Sequence, residues 1–258
     1  MINPVNQNIS TTFVKGIRVL KAFDDANTHL ALADLATRTQ LDRASVRRLV
    51  LTLVDLGYVR QTGRYFALTP KILALAGSFF QGNAVGKEIQ PVLNRYSEVL
   101  GGPTSLALRD ETSAVYVCQS APRAQPVTFG FTVGSRLSLA YSAIGRMILA
   151  GENPDWTAEY LKTCEVFAYT PKSLADRTEI AATVNISRTN GFAVVVDEFE
   201  IGVTGLAVPI GREGALMAVV GTSFPSADVS QESTRTSIIQ LLQALARELT
   251  YTRMFSQS

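Results

Sequence analysis

The sequence predicts an α+β chain in two parts: a short run of helices closed by a β-hairpin, then a larger region of mostly antiparallel strands with helices. Three observations predict it. Apolar residues recur at three- and four-residue spacings up to Gly57, the period of helices. Two β-prone runs then flank a Gly-containing turn. Beyond a Gly- and Asn-bearing break at 81–86, strand-like runs joined by turn residues mix with amphipathic stretches.

The elements follow in order. Residues 1–10 are polar and are expected to form a loose arm. Phe13, Ile17, Leu20 and Phe23 make the stripe of a first helix, expected to pack beneath the next two, and 24–27 end it. A second helix is expected over 30–38. Residues 39–41 turn the chain into a third helix, which Asp42 caps and Gly57 stops. Val46, Leu49, Val50, Leu53 and Leu56 form its apolar stripe. At about 100° per residue, Ala44 and Arg48 point away from that stripe and Ser45 and Arg47 flank it. Two helices joined by so short a turn make a helix-turn-helix, and this outer face suits a helix that enters a major groove. The competing reading is a solvated basic face. Runs 58–61 and 64–68 around Thr62-Gly63 predict a hairpin with Arg60 and Arg64 at its tip. Helix, helix, basic helix and basic hairpin is the order of a winged helix-turn-helix, whose wing arginines would lie against phosphates.

These residues carry a resemblance. The run Arg43-Ala44-Ser45-Val46-Arg47-Arg48-Leu49, then Leu53-Val54-Asp55-Leu56-Gly57-Tyr58-Val59, then Phe66-Ala67-Leu68-Thr69-Pro70-Lys71-Ile72-Leu73 resembles the DNA-binding domain of the IclR family of bacterial transcriptional regulators. It looks closest to the branch controlling aromatic-acid catabolism, the β-ketoadipate pathway and 4-hydroxybenzoate regulators. The resemblance implies residues 1–69 as the DNA-binding domain, a linker helix and boundary over 70–86, and a GAF-like α/β sandwich effector domain over 87–258. It also implies that the apolar linker helix, 71–80, helps to form a dimer that can pair into a tetramer.

In the second region an amphipathic helix is expected over 88–100, with Pro91 in its tolerant first turn. Strands are expected over 104–109 and 114–119 around the turn Asp110-Glu111-Thr112, and over 127–131, 192–196, 203–210 and 215–221. A loop turning into a helix is expected over 140–150, and helices over 155–162, 174–189 and 230–252. Strands in antiparallel order with helices gathered on one side make an α+β sandwich. The resemblance extends here through Val115-Tyr116-Val117, Val133-Gly134-Ser135-Arg136-Leu137, 142–150 and 190–203. The chain departs from the family at Ser138, where proline is usual, at Thr204, where a basic residue is usual, and at Gly205, which replaces Ser or Cys.

Composition bounds the function. With 258 residues, 47% hydrophobic and 18% charged, the chain is long enough to fold into one large or two modest domains with real cores. A net charge of +2 and a pI near 8.6 fit a small basic module joined to a neutral or acidic one, not a chain that binds nucleic acid everywhere. Cys118 and Cys164 make neither a disulfide framework nor a metal set, which points to the reducing cytoplasm. The start Met1-Ile2-Asn3-Pro4 lacks a basic and then apolar run, so no signal peptide is expected, and no apolar run reaches the roughly 18–20 residues of a membrane span. His29 is the only histidine, which removes the usual triad base. No cofactor, metal or catalytic residue is expected.

The candidate site residues fall in two groups. Arg43, Ser45, Arg47, Arg48, Arg60 and Arg64, with Lys71 as an outlying backbone contact, would engage double-stranded, pseudo-palindromic operator DNA. Ser142, Ala143 and Ile144 open a helix whose N–H groups could receive a carboxylate. The resemblance implies that this segment touches a small-acid effector, with Tyr116, Cys118, Tyr141, Asp197, Val203 and Gly205 at neighbouring pocket positions. Each has a plainer reading as core, rim or a packed helix start. Asp197, Glu198 and Glu200 could act as acid and base, orient backbone or a ligand hydroxyl, or lie in solvent. Arg109 and Arg136 could pair with a ligand carboxylate or with those acids. The function this implies is a ligand-responsive regulator of a catabolic operon sensing a small aromatic acid, or a small aliphatic acid such as pyruvate or glyoxylate. A small-acid enzyme with a regulatory DNA-binding module and an architectural DNA-binding protein without ligand are the rivals.

Overall fold

The computed structural model describes residues 8–24, 26–120, 132–212 and 215–256. They form two compact units that divide between Gly82 and Asn83.

The first unit holds α1 (Thr11–Leu20), α2 (Leu32–Thr39), α3 (Arg43–Asp55) and α4 (Lys71–Gly82). The Asp42 carboxylate caps α3 by accepting from the Ser45 N–H at 2.8 Å, and Gln40 makes the α2–α3 turn with a left-handed φ of 56°. The hairpin is β2 (Val59–Thr62) and β3 (Tyr65–Leu68), with Gly63-Arg64 as its two-residue loop, one position later than expected. Leu30 and Ala31 do not open α2. They form β1, pairing antiparallel with Phe66 and Tyr65, so the wing has three strands in the order β1-β3-β2. Two residues carry no periodicity, so the sequence could not separate them from the helix that follows.

Val19, Leu35, Val46, Val50, Leu53 and Phe66 make the first core. Three expected contributors stand outside it. Phe13 is 69% exposed, because α1 buries Val19 instead of the face carrying Phe13 and Ile17, and Leu56 is 50% exposed at the end of α3. The α4 helix buries no residue.

The second unit begins with a π turn, Val85–Ile89, and α5 (Gln90–Leu100). Its sheet contains β4 (Thr104–Asp110), β5 (Ser113–Gln119), β6 (Arg136–Ser138), β7 (Ala193–Val196), β8 (Val203–Arg212) and β9 (Ala215–Pro225), all antiparallel in the order β6-β5-β4-β9-β8-β7. The helices are α6 (Ala143–Gly151), α7 (Pro154–Thr163), α8 (Arg177–Asn190), α9 (Glu232–Leu249) and α10 (Arg253–Ser256). The strand expected over 127–131 lies outside the described residues.

The α+β class holds, but the helices are not gathered on one side. Ala107, Val195, Ala207 and Val219 face α6 and α8 in one core. Their strand neighbours Leu106, Leu206, Val208 and Val220 are equally buried on the other face, where α5 and α9 lie. A sheet covered on both faces loses the polar alternation that would have announced it.

All nine residues of α6 are buried. The helix sits so close to the preceding segment that a Cβ on Gly145 would lie 2.4 Å from the Leu139 Cα and the Ser138 carbonyl oxygen. Only glycine permits that approach.

Candidate functional site

In the first unit, α3 carries three of the basic residues. Arg43, Arg47 and Arg48 are exposed and Ser45 is half-buried. None of the three arginines is paired with a carboxylate among the described residues, unlike Arg38, which is tied to Asp24. Arg60 is exposed on β2 opposite Ala67, and Arg64 is exposed in the turn, where Nη2 donates to the Tyr65 hydroxyl at 2.9 Å and the guanidinium lies over its ring. Lys71 is otherwise engaged. Its Nζ donates to the Leu56 carbonyl at 2.8 Å and stands over the Tyr58 ring, closing the C-terminus of α3, so its expected phosphate contact is withdrawn.

The second unit encloses a cavity with about 90 Å³ open to the centre of a water molecule. Tyr116, Tyr141, Ser142, Ala143, Ile144, Val203 and Gly205, named from the sequence, all line it. Glu200, one of the three acids weighed from the sequence, lines it as well, and so do Ser105, Phe199 and Ser223, which were not among the candidates. Ser142 caps α6: its hydroxyl accepts from the Gly145 N–H at 2.9 Å and donates to the Ser138 carbonyl at 2.8 Å. The N–H groups of Ala143 and Ile144 have no intrahelical acceptor, and among the described residues no other acceptor reaches them. Both residues line the cavity, at the positive end of the helix. Gly205 lies against this turn, where an added Cβ would stand 3.2 Å from that of Ala143. The family's larger residue would therefore take space beside the helix start.

The aromatic wall is built by contact between rings. Tyr141 is fully buried, its hydroxyl accepts from the Phe167 N–H at 3.0 Å, and its ring meets Tyr169, which in turn meets Phe199. Burial pushes the Tyr116 phenol up to about 12, offset in part by a hydrogen bond with Ser105. The hydroxyl is therefore neutral at physiological pH.

Two expected residues are not brought to the cavity. The resemblance implied a pocket position for Cys118 as well as for Tyr116. A β-bulge overturns this: Leu106 pairs with Cys118 but Ala107 pairs with Tyr116, which leaves Val117 as an extra residue. Tyr116 therefore faces the cavity, whereas the Cys118 thiol, on the face toward α5, donates to the Gln90 Oε1 at 3.2 Å. Burial pushes that thiol up to about 11, so it is not a nucleophile at neutral pH.

Asp197 is a structural clamp. It has a left-handed φ of 59°, accepts from the Gly202 N–H and the Ser226 hydroxyl, and pairs with Lys172. The Lys172 bond above all, then that from Ser226, holds its carboxyl below the ordinary value.

The neighbouring acid Glu198 binds Arg146, the largest fully buried side chain of the chain's described residues. Arg146 Nε also donates to the Ala140 carbonyl at 2.9 Å, so the guanidinium fork ties α6 to the 197–202 loop. Arg109 and Arg136, weighed as partners of a ligand carboxylate or of these acids, pair with Glu152 and Asp110 instead. The three acids 197, 198 and 200 thus separate into two clamps and one cavity residue. Among the described residues no three His, Cys, Asp or Glu side chains come together as a metal site, and no helix is long and apolar enough to cross a membrane.

Comparison with known proteins matches both units. Residues 12–63 match the family described as the IclR helix-turn-helix domain, and residues 79–251 match the bacterial transcriptional regulator IclR C-terminal family. The chain is 30% identical over 240 residues to the Pca regulon regulatory protein of Pseudomonas putida, covering 93% of this chain and 82% of that protein. It is 25% identical to the p-hydroxybenzoate hydroxylase transcriptional activator of Acinetobacter baylyi, covering 91% and 89%. Among solved structures, an IclR family transcriptional regulator from Brucella abortus superposes with a TM-score of 0.82 at 22% identity, covering 97% and 95%. An IclR homolog from Microbacterium hydrocarbonoxydans complexed with 4-hydroxybenzoate superposes with a TM-score of 0.75 at 21% identity, covering 96% and 100%.

Proposed function

The chain belongs to the IclR family of bacterial transcriptional regulators, and on that premise we propose that it controls a catabolic operon in the cytoplasm in response to a small aromatic carboxylic acid. The cavity carries this reading. It brings the aromatic residues Tyr116, Tyr141 and Phe199 together with the start of α6, whose first N–H groups are unengaged among the described residues, the two features a benzoate-like ligand requires. Its volume is several times the roughly 10–15 Å³ that one water needs. Support comes also from the relatives, one named for the Pca regulon and one for p-hydroxybenzoate hydroxylase, and from the neighbour that holds 4-hydroxybenzoate.

In this reading the acid is bound and not converted. The buried thiol is protonated, and Asp197 and Glu198 are consumed in ion pairs. Binding changes transcription only if it favours one DNA-competent arrangement over another, for which a coupling of about 1–3 kcal/mol suffices.

Arg47, Arg48 and Ser45 would read bases and adjoining phosphates, while Arg43, Arg60 and Arg64 would hold backbone. Two copies would read the half-sites of a pseudo-palindrome. Leu75 and Phe79, exposed one turn apart on α4, belong to the apolar face a second copy would cover. Light scattering of the purified protein should return at least a dimer mass, and a monomer would remove this face from the reading.

The deciding experiment is a thermal-shift screen of the full chain against 4-hydroxybenzoate, protocatechuate, benzoate, β-ketoadipate, pyruvate and glyoxylate. A dose-dependent rise with an aromatic acid is expected. A rise with an aliphatic acid alone would move the chain to another branch of the family, and no rise would withdraw the effector assignment.

A further inference from the structure

We propose that Glu200 is the specificity residue of the cavity: it admits acids that carry one carboxylate and a hydrogen-bond donor elsewhere, and turns away dicarboxylates. The proposal rests on the effector reading given above.

Four observations carry it. Glu200 lines the same cavity as the start of α6, and it is the one acid among the described lining residues. Those lining residues include no Lys, Arg or His that could neutralise it. Its two acidic neighbours are committed elsewhere, Asp197 to Lys172 and Glu198 to Arg146. Among the described residues Glu200 itself has no such ion pair, and burial raises its carboxyl above the ordinary 4.5.

A carboxylate drawn partly out of water without a partner gains from any donor that a ligand brings. A phenolic hydroxyl or an amine on the ligand would supply one. The ligand's own carboxylate would go to the Ala143 and Ile144 N–H groups, which need an acceptor. A second ligand carboxylate would be set near Glu200, which is discrimination by repulsion.

The test is calorimetric titration of the full-length protein at neutral pH with matched pairs. The aromatic pair is 4-hydroxybenzoate and terephthalate, which differ in a hydroxyl exchanged for a carboxylate at one ring position. The aliphatic pair is 4-hydroxybutyrate and succinate. In whichever pair binds, the hydroxy acid should bind at least about tenfold tighter than the diacid, since like-charge juxtaposition is costly. Glu200→Gln should close most of that gap, chiefly by gaining affinity for the diacid, while Glu200→Asp should retain it. The ligand-free melting temperature of each variant checks its folding. A diacid that binds native protein as tightly as its hydroxy partner, or a gap that survives in Glu200→Gln, would overturn the assignment of Glu200 alone. If no acid of either pair bound the folded native protein, the effector reading would fall and this assignment with it.

Discussion

Arg48 and Arg64 are both exposed guanidinium groups, yet their surroundings assign them different work. Arg48 lies on the outer face of α3, and Arg64 sits in a turn with its guanidinium over Tyr65. Arg48→Ala is expected to weaken operator binding and relax sequence preference, whereas Arg64→Ala should weaken all DNA about equally and lower the slope of affinity against salt by about one. Quantitative gel-shift titrations at several salt concentrations would check this. Loss of only nonspecific affinity in both variants would move the reading face elsewhere. The buried pair makes a second contrast. Glu198→Gln leaves the Arg146 guanidinium, 2% exposed, without its counter-charge, and should cost about 3–5 kcal/mol in denaturant melts. Asp110→Asn breaks the exposed pair with Arg136 and should cost under about 1 kcal/mol. Single residues were the least readable from sequence. Nothing in Asp197-Glu198-Phe199-Glu200 distinguishes the two clamps from the cavity residue, because the partners Lys172 and Arg146 come from segments far away in the chain.

At the scale of elements, α6 is the part on which the effector unit turns. Its first turn faces the cavity, its third residue admits no side chain, and its fourth is the buried arginine. Ala143→Leu should fill the cavity beside Gly205 and abolish the thermal response to acids while sparing operator binding in their absence. The ligand-free protein should lose no more than about 1–3 kcal/mol from overpacking. A response that survived would take the helix start out of the site. The helix itself was readable because Ser142 is a strong cap and small residues follow it. The helix-turn-helix was readable for a similar reason: Asp42, a periodic apolar stripe and Gly57 agree on one helix. Strand β1 was not, being two residues long, and neither was the exposed side of α1, since periodicity reports an apolar face but not what covers it.

For the molecule as a whole, acid is the informative perturbation. Asp24, Asp42, Asp176 and Asp197 are all held below the ordinary carboxylate value by hydrogen bonds, joined at all but Asp42 by a neighbouring cation. A group whose folded pKa lies below its unfolded one adds stability above the unfolded value, and that contribution fades as pH falls through the folded value. The native melting temperature should therefore drop as the solution is acidified past 3.8, the ordinary Asp value. Asp197→Asn should melt below native protein at pH 7, and the difference should close below that value. A difference unchanged from neutral to strongly acid solution would mean that the Asp197 clamp is held by shape and not by charge. Beyond the chain itself, the extra residue at Val117 bears on how relatives are compared. A homologue one residue shorter at this point would keep its tyrosine and its thiol on their present sides of the sheet, because the deletion would only make the strand regular. A homologue of equal length but without the irregularity would exchange the sides of every residue beyond it. Two sequences that align without a gap here can thus offer their ligands different walls, and two that require a gap can offer the same one.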